Sequence, residues 1–211
     1  VVQAQAARVR KAHKYGYNTH ILRFQHENAE IKHDGAVNQI LLRNAHDGTR
    51  SVELFGGVFR FVCANGIVAY TKDHGKASLG HRGGNLWDRI VAAVNHIQMA
   101  TNASDRLIEG WSRKALSYSQ QLDFAQAALE LRYPIAEKRP VFAGDLLEAR
   151  RVEDSNGDAW SVFNRVQEHL TRGGLQGRAS GGLRSIRKIK GADSDLKLNA
   201  QLFGIAETMF A

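Results

Sequence analysis

Between residues 17 and 85 the chain alternates short apolar runs with polar, turn-forming residues, a pattern that predicts strands. Strands are expected at residues 19–24, 37–42, 51–55, 58–63, 67–70 and 78–81. Asp47-Gly48 and Asn65-Gly66 are strong signals for hairpin turns, because such pairs tolerate positive φ. Gly56-Gly57 indicates a bulge, a tight bend or the close approach of another backbone. Short strands joined by tight turns predict an antiparallel sheet.

After residue 85 the apolar residues recur at spacings of three and four, which is typical of amphipathic helices. The first helix has an apolar stripe that consists of Trp87, Ile90, Val91, Val94 and Ile97. Further helices are expected at about 119–132, between 158 and 173, and at 193–210, with a short helix near 146. The Asp at 158 is a suitable N-cap, and the Gly pair at 173–174 is a suitable helix end.

The predicted fold class is therefore α+β, with an antiparallel β-hairpin sheet in the N-terminal half and a helical C-terminal half. We expect residues 17–211 to form a single α+β domain, mainly strands over 17–85 and mainly helices over 86–211. Residues 1–16 are expected to form a basic N-terminal arm or a short helix. Trp87 and Trp160 fit apolar stripes and are expected in the core, and Trp111 is expected at a subunit interface.

The charge of the chain changes this picture, because Lys and Arg total 29 against 21 Asp and Glu, a net charge of +8. Residues 172–190, called the basic segment below, hold six Lys/Arg and five Gly and no acidic residue. Its cations are Arg172, Arg178, Arg184, Arg187, Lys188 and Lys190. Glycines let a backbone follow an irregular polyanion, and arginines bind phosphate and stack on bases. The basic segment is therefore predicted to contact nucleic acid; the alternative is a solvated loop without a specific partner.

Two further arginines lie near glycine pairs and are predicted to assist, namely Arg60 and Arg82. Phe59 and Phe61 share one strand face, where they could stack bases, although strand aromatics are more often core residues. The chain contains neither GxxxxGK[ST] nor GxGxxG, so a nucleotide-binding loop of those types is not predicted.

Candidate catalytic and metal-binding residues give weaker signals. The nine histidines form no HExxH or paired Cys/His pattern, and we expect neither a metal nor a cofactor. Cys63, with Asn65 and His81 downstream, could be imagined as a nucleophile and its base, but a free Cys that ends an apolar strand is more often a small core residue. We therefore expect no catalytic residue.

The only cysteine, Cys63, excludes a disulfide within the chain and favours a reducing compartment. No apolar run has the length of a membrane span, and the first residues lack the apolar core of a signal peptide. We expect a cytoplasmic protein that does not contact membranes. The chain does not begin with Met, so we also expect it to be a trimmed piece of a longer protein.

Two blocks of sequence resemble a known family. The first includes Cys63-Ala64-Asn65-Gly66 within residues 41–68, followed by His81-Arg82-Gly83-Gly84-Asn85. The second includes Asn164-Arg165-Val166-Gln167-Glu168 and then Asp195-Leu196-Lys197-Leu198-Asn199. From about residue 41 to its end, the chain resembles the "domain of unknown function 932" family of phage- and plasmid-like proteins. The resemblance implies carriage on mobile DNA in a bacterial cytoplasm, and it supplies no catalytic residues.

These observations favour a non-enzymatic protein that binds single-stranded DNA, as a ring or filament of identical subunits, in phage or plasmid recombination or replication. Hairpins followed by a long helix are similar to the order of elements in single-strand annealing recombinases, which makes strand annealing the first hypothesis. The alternative is a protein-interaction factor that acts on a host defence or another host protein. A nucleic-acid-processing enzyme is a third hypothesis, and it would need a carboxylate or histidine cluster.

Overall fold

The computed structural model of the protein describes residues 2–6, 19–25, 35–45, 51–60, 65–67, 76–80, 85–179 and 181–211. The fold is α+β, as predicted: an antiparallel sheet comes first, and helices follow. The chain divides into two compact units, Val1–Ser104 and Asp105–Ala211. The expectation that residues 17–211 form a single domain stays a prediction.

The first unit contains a sheet in which all strand pairs are antiparallel. Its strands are β1 (Val2–Ala6), β2 (Thr19–Phe24), β3 (Ala36–Ala45), β4 (Val52–Arg60), β5 (Asn65–Ile67) and β6 (Lys76–Leu79). The order is β1-β2-β3-β4-β5, and β6 pairs with the first half of β4 while β5 pairs with its end. Residues 2–6, expected in an arm or a helix, thus form an edge strand; the rest of the expected arm lies outside the described residues.

Two predictions for glycine-containing pairs in this sheet are wrong, namely a bulge or bend at Gly56-Gly57 and a turn at Asn65-Gly66, while the close approach of another backbone at Gly56-Gly57 stays a prediction. The strands expected at 51–55 and 58–63 are one strand, β4, whose register against β3 continues without a break through Gly56 and Gly57. Both glycines are buried, so they allow close packing inside the strand. Asn65 and Gly66 lie in β5, opposite Arg60 and Phe59, and not in a turn. The turn signal at 47–48 lies outside the described residues.

The core of the first unit forms where the sheet meets helix α1 (Leu86–Arg113). Val52, Leu54 and Leu79 from the sheet pack with Ala93 and Ile97 from the helix. The half-buried residues Ile40, Leu42, Ala77, Leu86, Ile90 and Val94 extend this cluster. Of the predicted apolar stripe, Ile90, Val94 and Ile97 do face this core. The prediction is wrong for the other two members, because Trp87 is 72% exposed and Val91 is also exposed.

The second unit contains α2 (Tyr118–Arg132), α3 (Ala159–Arg172), α4 (Ala192–Met209) and a short hairpin of β7 (Gln176–Gly177) and β8 (Arg184–Ser185). Single 3₁₀ turns occur at Ala136–Lys138, Ala143–Leu147 and Val152–Asp154. Helices α2, α3 and α4 begin and end within one or two residues of their predicted bounds. No helix in the described ranges has the length and apolar character that a membrane span requires.

Aromatic side chains form the centre of the second unit. Trp160 stacks on Phe163 with ring centroids 5.7 Å apart, which confirms its predicted place in the core. Trp111 is only 3% exposed, and its ring lies 5.1 Å from that of Phe203 and 5.5 Å from that of Phe210. The subunit-interface position predicted for Trp111 is therefore wrong: its ring is enclosed by neighbouring helices of the same unit.

Candidate nucleic-acid interface

The basic segment is held in place by backbone hydrogen bonds on both sides of its hairpin. The N–H of Gly174 donates to the carbonyl of Ile186 at 2.7 Å, and the N–H of Ile186 donates to the carbonyl of Leu175 at 2.9 Å. Closer to the helix, the N–H of Ile189 donates to the carbonyl of Thr171 at 2.9 Å. Ile186 is 1% exposed, so its side chain anchors the returning strand in the core. This stretch is an ordered hairpin, which is more structure than its composition predicted.

Two glycines allow the hairpin to pack this closely. Gly173 has φ +69°, and a Cβ there would lie 2.5 Å from both the carbonyl oxygen of Ile186 and the amide nitrogen of Lys188. A Cβ on Gly177 would lie 2.8 Å from Cγ1 of Val141 and 3.0 Å from the carbonyl oxygen of Pro140. The first glycine thus joins α3 to the hairpin, and the second lets the hairpin contact the segment around Pro140.

Two arginines outside the basic segment bind its backbone carbonyls. Arg150 donates from Nη2 to the carbonyl of Gly173 at 2.6 Å, and Arg132 donates from Nη2 to the carbonyl of Arg187. Burial lowers the pKa of the Arg132 guanidinium, while Tyr133 and the Asp195 carboxylate act in the opposite direction. Arginine nevertheless stays charged in proteins, so Arg132 brings a partly desolvated positive charge to the base of the hairpin.

The predicted cations of the basic segment differ in their exposure. Five of them have exposed side chains, namely Arg178, Arg184, Arg187, Lys188 and Lys190. Arg172, in the last turn of α3, is half-buried and already has an interaction partner. Residues 105–211 contain 16 Lys/Arg and 14 Asp/Glu, and six of the 16 lie in the basic segment. The rest of the unit is therefore net acidic, and its positive charge is concentrated in this hairpin.

A cavity of about 710 Å³ lies between the hairpin and the end of α2 with the residues that follow it. The residues that line it, called the basic groove below, are Arg132, Tyr133, Lys138, Pro140, Gln176, Leu183, Arg184, Ser185 and Arg187. Four of these nine are cations and none is acidic. Leu183 is 68% exposed, and the Tyr133 ring is half-buried. The groove thus combines positive charge with two apolar surfaces.

The basic groove includes only part of the predicted site. Arg184 and Arg187 line it, whereas Arg172, Arg178, Lys188 and Lys190 do not. Arg60 is the last residue of β4, where its backbone pairs with Ala36 and Asn65, and the structure describes nothing of its side chain. Arg82, Cys63, Phe61 and His81 lie outside the described residues.

Sequence reasoning missed the other half of the groove, which comprises Arg132, Tyr133 and Lys138. These residues precede the hairpin by some forty positions, and no local motif joins the two stretches. The nearby Arg139 has a supporting role, because its Nε donates to the Tyr133 carbonyl at 3.1 Å and its Nη2 to Glu130 at 3.3 Å. The one available signal was the basic Lys138-Arg139 pair between two prolines.

The Asn-Arg-Val-Gln-Glu motif lies on α3 and is buried along its whole length. Gln167 donates to Oδ1 of Asn199 at 2.7 Å, which joins the two parts of the second motif block. Arg165 donates to the carbonyls of Leu147 at 3.0 Å and Asn156 at 3.1 Å, and Glu168 pairs with Arg151 at 3.0 Å. These polar residues therefore connect α3 to its neighbours.

His169, one residue beyond that motif, is also enclosed. Its Nε2 lies 2.8 Å from the carbonyl oxygen of Glu148, and the residue is 1% exposed. Burial lowers the pKa of His169, which the hydrogen bond to Glu148 partly offsets. A buried neutral imidazole bonded to a backbone carbonyl is a structural group. In the parts of the chain that the structure describes, no three His, Cys, Asp or Glu residues are grouped as metal ligands would be.

The fold and this site define an α+β protein whose helical unit presents an ordered basic hairpin beside a cationic groove. The chain belongs to the family described as Domain of unknown function (DUF932), whose model matches residues 1–203. This confirms the resemblance noted in the sequence and extends it to residues before 41.

Two curated relatives are similar to the chain over most of its length. It is 33% identical over 203 residues to UPF0380 protein YfjQ of Escherichia coli (strain K12), and the match covers 96% of this chain and 72% of that protein. It is 32% identical over 203 residues to UPF0380 protein YafZ of the same strain, with the same coverage. No solved structure matches the chain.

Proposed function

We propose that this protein binds nucleic acid through the basic segment and that single-stranded DNA is its preferred ligand. The observation that carries the proposal is the set of five exposed cations on a hydrogen-bonded hairpin with no acidic residue between them. Such a surface neutralises several phosphates at once and releases their counterions, which drives association with a polyanion. A hairpin that is already ordered loses little conformational entropy when a strand binds.

The proposed role contains no chemical step. The cations would bind phosphates without reading base edges, so affinity would depend little on sequence. Strand annealing by an oligomer, in the recombination or replication of mobile DNA in a bacterial cytoplasm, is the process we propose for it. This setting is proposed from the resemblance of the chain to phage- and plasmid-like proteins.

The direct experiment is fluorescence anisotropy with labelled single- and double-stranded oligonucleotides across a salt series. The proposal predicts saturable binding that favours the single strand and weakens steeply with salt, because log K falls by about 0.7 per phosphate contact for each tenfold rise in salt. Little difference between unrelated sequences is expected as well. An absence of binding at low salt, or an affinity that salt does not change, would contradict the proposal.

A protein partner is the second candidate function, and exposed apolar residues on α1 favour it. Trp87 and Met99 are both exposed, and aromatic and Met side chains are enriched in protein interfaces. Affinity purification from bacterial lysate, with and without nuclease, distinguishes the two functions. A stoichiometric protein complex that survives nuclease and is lost in Trp87→Ser supports the second candidate, whereas recovery that depends on nucleic acid supports the first.

A further inference from the structure

We infer that the basic groove binds one unpaired nucleotide, with the base against Tyr133 and Leu183 and the phosphate held by Lys138, Arg184 and Arg187. This inference rests on the proposed function and deepens it, because it names the part of the ligand that the second unit would hold. The shared chemistry is a nucleobase with a phosphate, which single-stranded DNA, single-stranded RNA or a free nucleotide could supply.

The charge of the groove selects an anion. Arg132 is the last residue of α2 and Lys138 lies in the 3₁₀ turn that follows it, whereas Arg184 and Arg187 come from the hairpin, so cations line the cavity from two separate stretches. None of the nine lining residues is acidic, although the second unit outside the basic segment is net acidic. Arginine offers planar donors that match phosphate oxygens, and lysine adds a point charge.

The apolar part of the groove selects a flat group beside that anion. Tyr133 supplies a half-buried aromatic ring, and Leu183 supplies an exposed aliphatic surface. Aromatic side chains in single-strand-binding proteins stack on bases of any sequence. Gln176 and Ser185 add hydrogen-bonding groups to the same lining. A phosphate alone would contact only the cations, whereas a nucleotide would contact the cations and the apolar surfaces.

The cavity is large enough to hold a nucleotide. About 710 Å³ falls within the range of roughly 300–1,000 Å³ that is typical of small-molecule pockets. In a duplex the bases are stacked and paired inside, so a paired base does not reach such a pocket unless it is unstacked at a cost. Binding of a base in the groove would therefore add affinity for single strands and little for duplexes.

The walls of the groove are fixed before any ligand binds. Arg132 donates to the carbonyl of Arg187, and Gly177 packs against Val141 and Pro140, so the hairpin is joined to the opposite wall at two points. Burial lowers the pKa of Arg132, which reflects a partly desolvated charge whose attraction for a phosphate is stronger than in bulk water. A preformed site of this kind loses little entropy on binding.

The test replaces Tyr133 by Ala and compares it with Tyr118→Ala, an exposed tyrosine that does not line the groove. Affinities for oligo-dT, oligo-U and a duplex are measured at one salt concentration, and free dTMP is added as a competitor. We expect Tyr133→Ala to weaken single-strand binding by roughly tenfold and duplex binding by less than twofold, because stacking is lost while charge is kept. Tyr118→Ala should bind like the wild type.

Leu183→Ser provides a second variant at a position too exposed to affect folding, and it should also weaken single-strand binding selectively. The oligonucleotide, oligo-dT or oligo-U, that loses more affinity in Tyr133→Ala identifies the polymer that the groove prefers. Competition by dTMP supports a site that accepts the nucleotide alone. If wild-type binding is intact and neither variant changes the single-strand affinity, the inference is wrong while the proposed function stands. If the wild type binds no oligonucleotide at low salt, both are wrong.

Discussion

At the scale of single residues, the hairpin depends on backbone positions that favour glycine. Gly173 and Gly181 both have positive φ, at +69° and +77°, but their surroundings differ. Space around Gly181 is open, whereas a Cβ on Gly173 would meet the backbone of the returning strand. The Gly173-Gly174 pair predicted a helix end correctly, and the contact with residues 186–188 could not be predicted because it is made by a distant part of the chain.

Gly173→Ala is expected to lower the free energy of unfolding by at least about 2 kcal/mol, because the backbone conformation of φ +69° and ψ −159° costs an alanine about 1–3 kcal/mol and the backbone clash adds to it. Gly181→Ala also places an alanine at positive φ but meets no clash, and it should cost about 1 kcal/mol. Urea denaturation of both variants gives the comparison. Equal losses of stability would show that the close approach at Gly173 contributes nothing.

The buried His169 makes stability depend on pH. Its pKa in the folded protein is lowered from about 6.5 by burial, so the folded state favours the neutral ring. The stabilisation that comes from the neutral His169 ring is fully present above pH 6.5. It is lost as the pH falls towards the pKa of His169 in the folded protein, because in that range the unfolded chain binds a proton that the folded protein does not. Stability should therefore fall by up to about 1.4 kcal/mol per pH unit below 6.5.

His169→Gln removes the titrating group and should flatten this part of the stability profile. Urea denaturation between pH 5 and pH 8 measures both proteins. The assignment fails if the variant loses as much stability between pH 6.5 and pH 5 as the wild type, since other groups would then account for the loss.

At the scale of elements, the helices were predicted well and the strands only in part. Helical periodicity is read over many residues, and local signals such as the Asp158 cap, which accepts from the N–H of Ser161 at 2.9 Å, mark the ends. The strands depend on partners far along the chain, so Gly56-Gly57 was taken for an interruption although β3 pairs straight through it. Trp87 was placed in the core for a similar reason. An apolar stripe shows which face of a helix is apolar, but it does not show how much of that face the neighbouring element buries.

The hydrogen bond between Gln167 and Asn199 is expected to couple α3 to α4. Gln167→Met leaves a buried Asn199 oxygen without that donor and should cost about 1–3 kcal/mol. In a double-mutant cycle with Asn199→Leu, the double variant should be more stable than the sum of the single losses predicts, by about 0.5–3 kcal/mol. Chemical denaturation measures all four proteins, and strictly additive losses would show that the two side chains are not coupled.

At the scale of the whole molecule, the distribution of charge matters more than its total. The chain has a net charge of +8, and within residues 105–211 the basic segment holds the excess of cations. The sequence was sufficient to identify this segment, because six cations and no acid stand together. It was not sufficient to identify the basic groove, since Arg132 and Lys138 come close to the hairpin through contacts between distant parts of the chain, such as the packing of Gly177 on Pro140 and Val141.

The central claim is that the cations of the basic segment bind phosphates, and the salt dependence of single-strand binding tests it most directly. The double variant Arg178→Ala/Lys190→Ala removes two exposed cations outside the groove, and Arg106→Ala/Lys197→Ala removes two exposed cations elsewhere in the same unit. The hairpin variant is expected to lose affinity and to have a slope of log K against log salt that is shallower by about 1–2, while the control keeps the wild-type slope. Equal slopes in all three proteins would contradict the central claim.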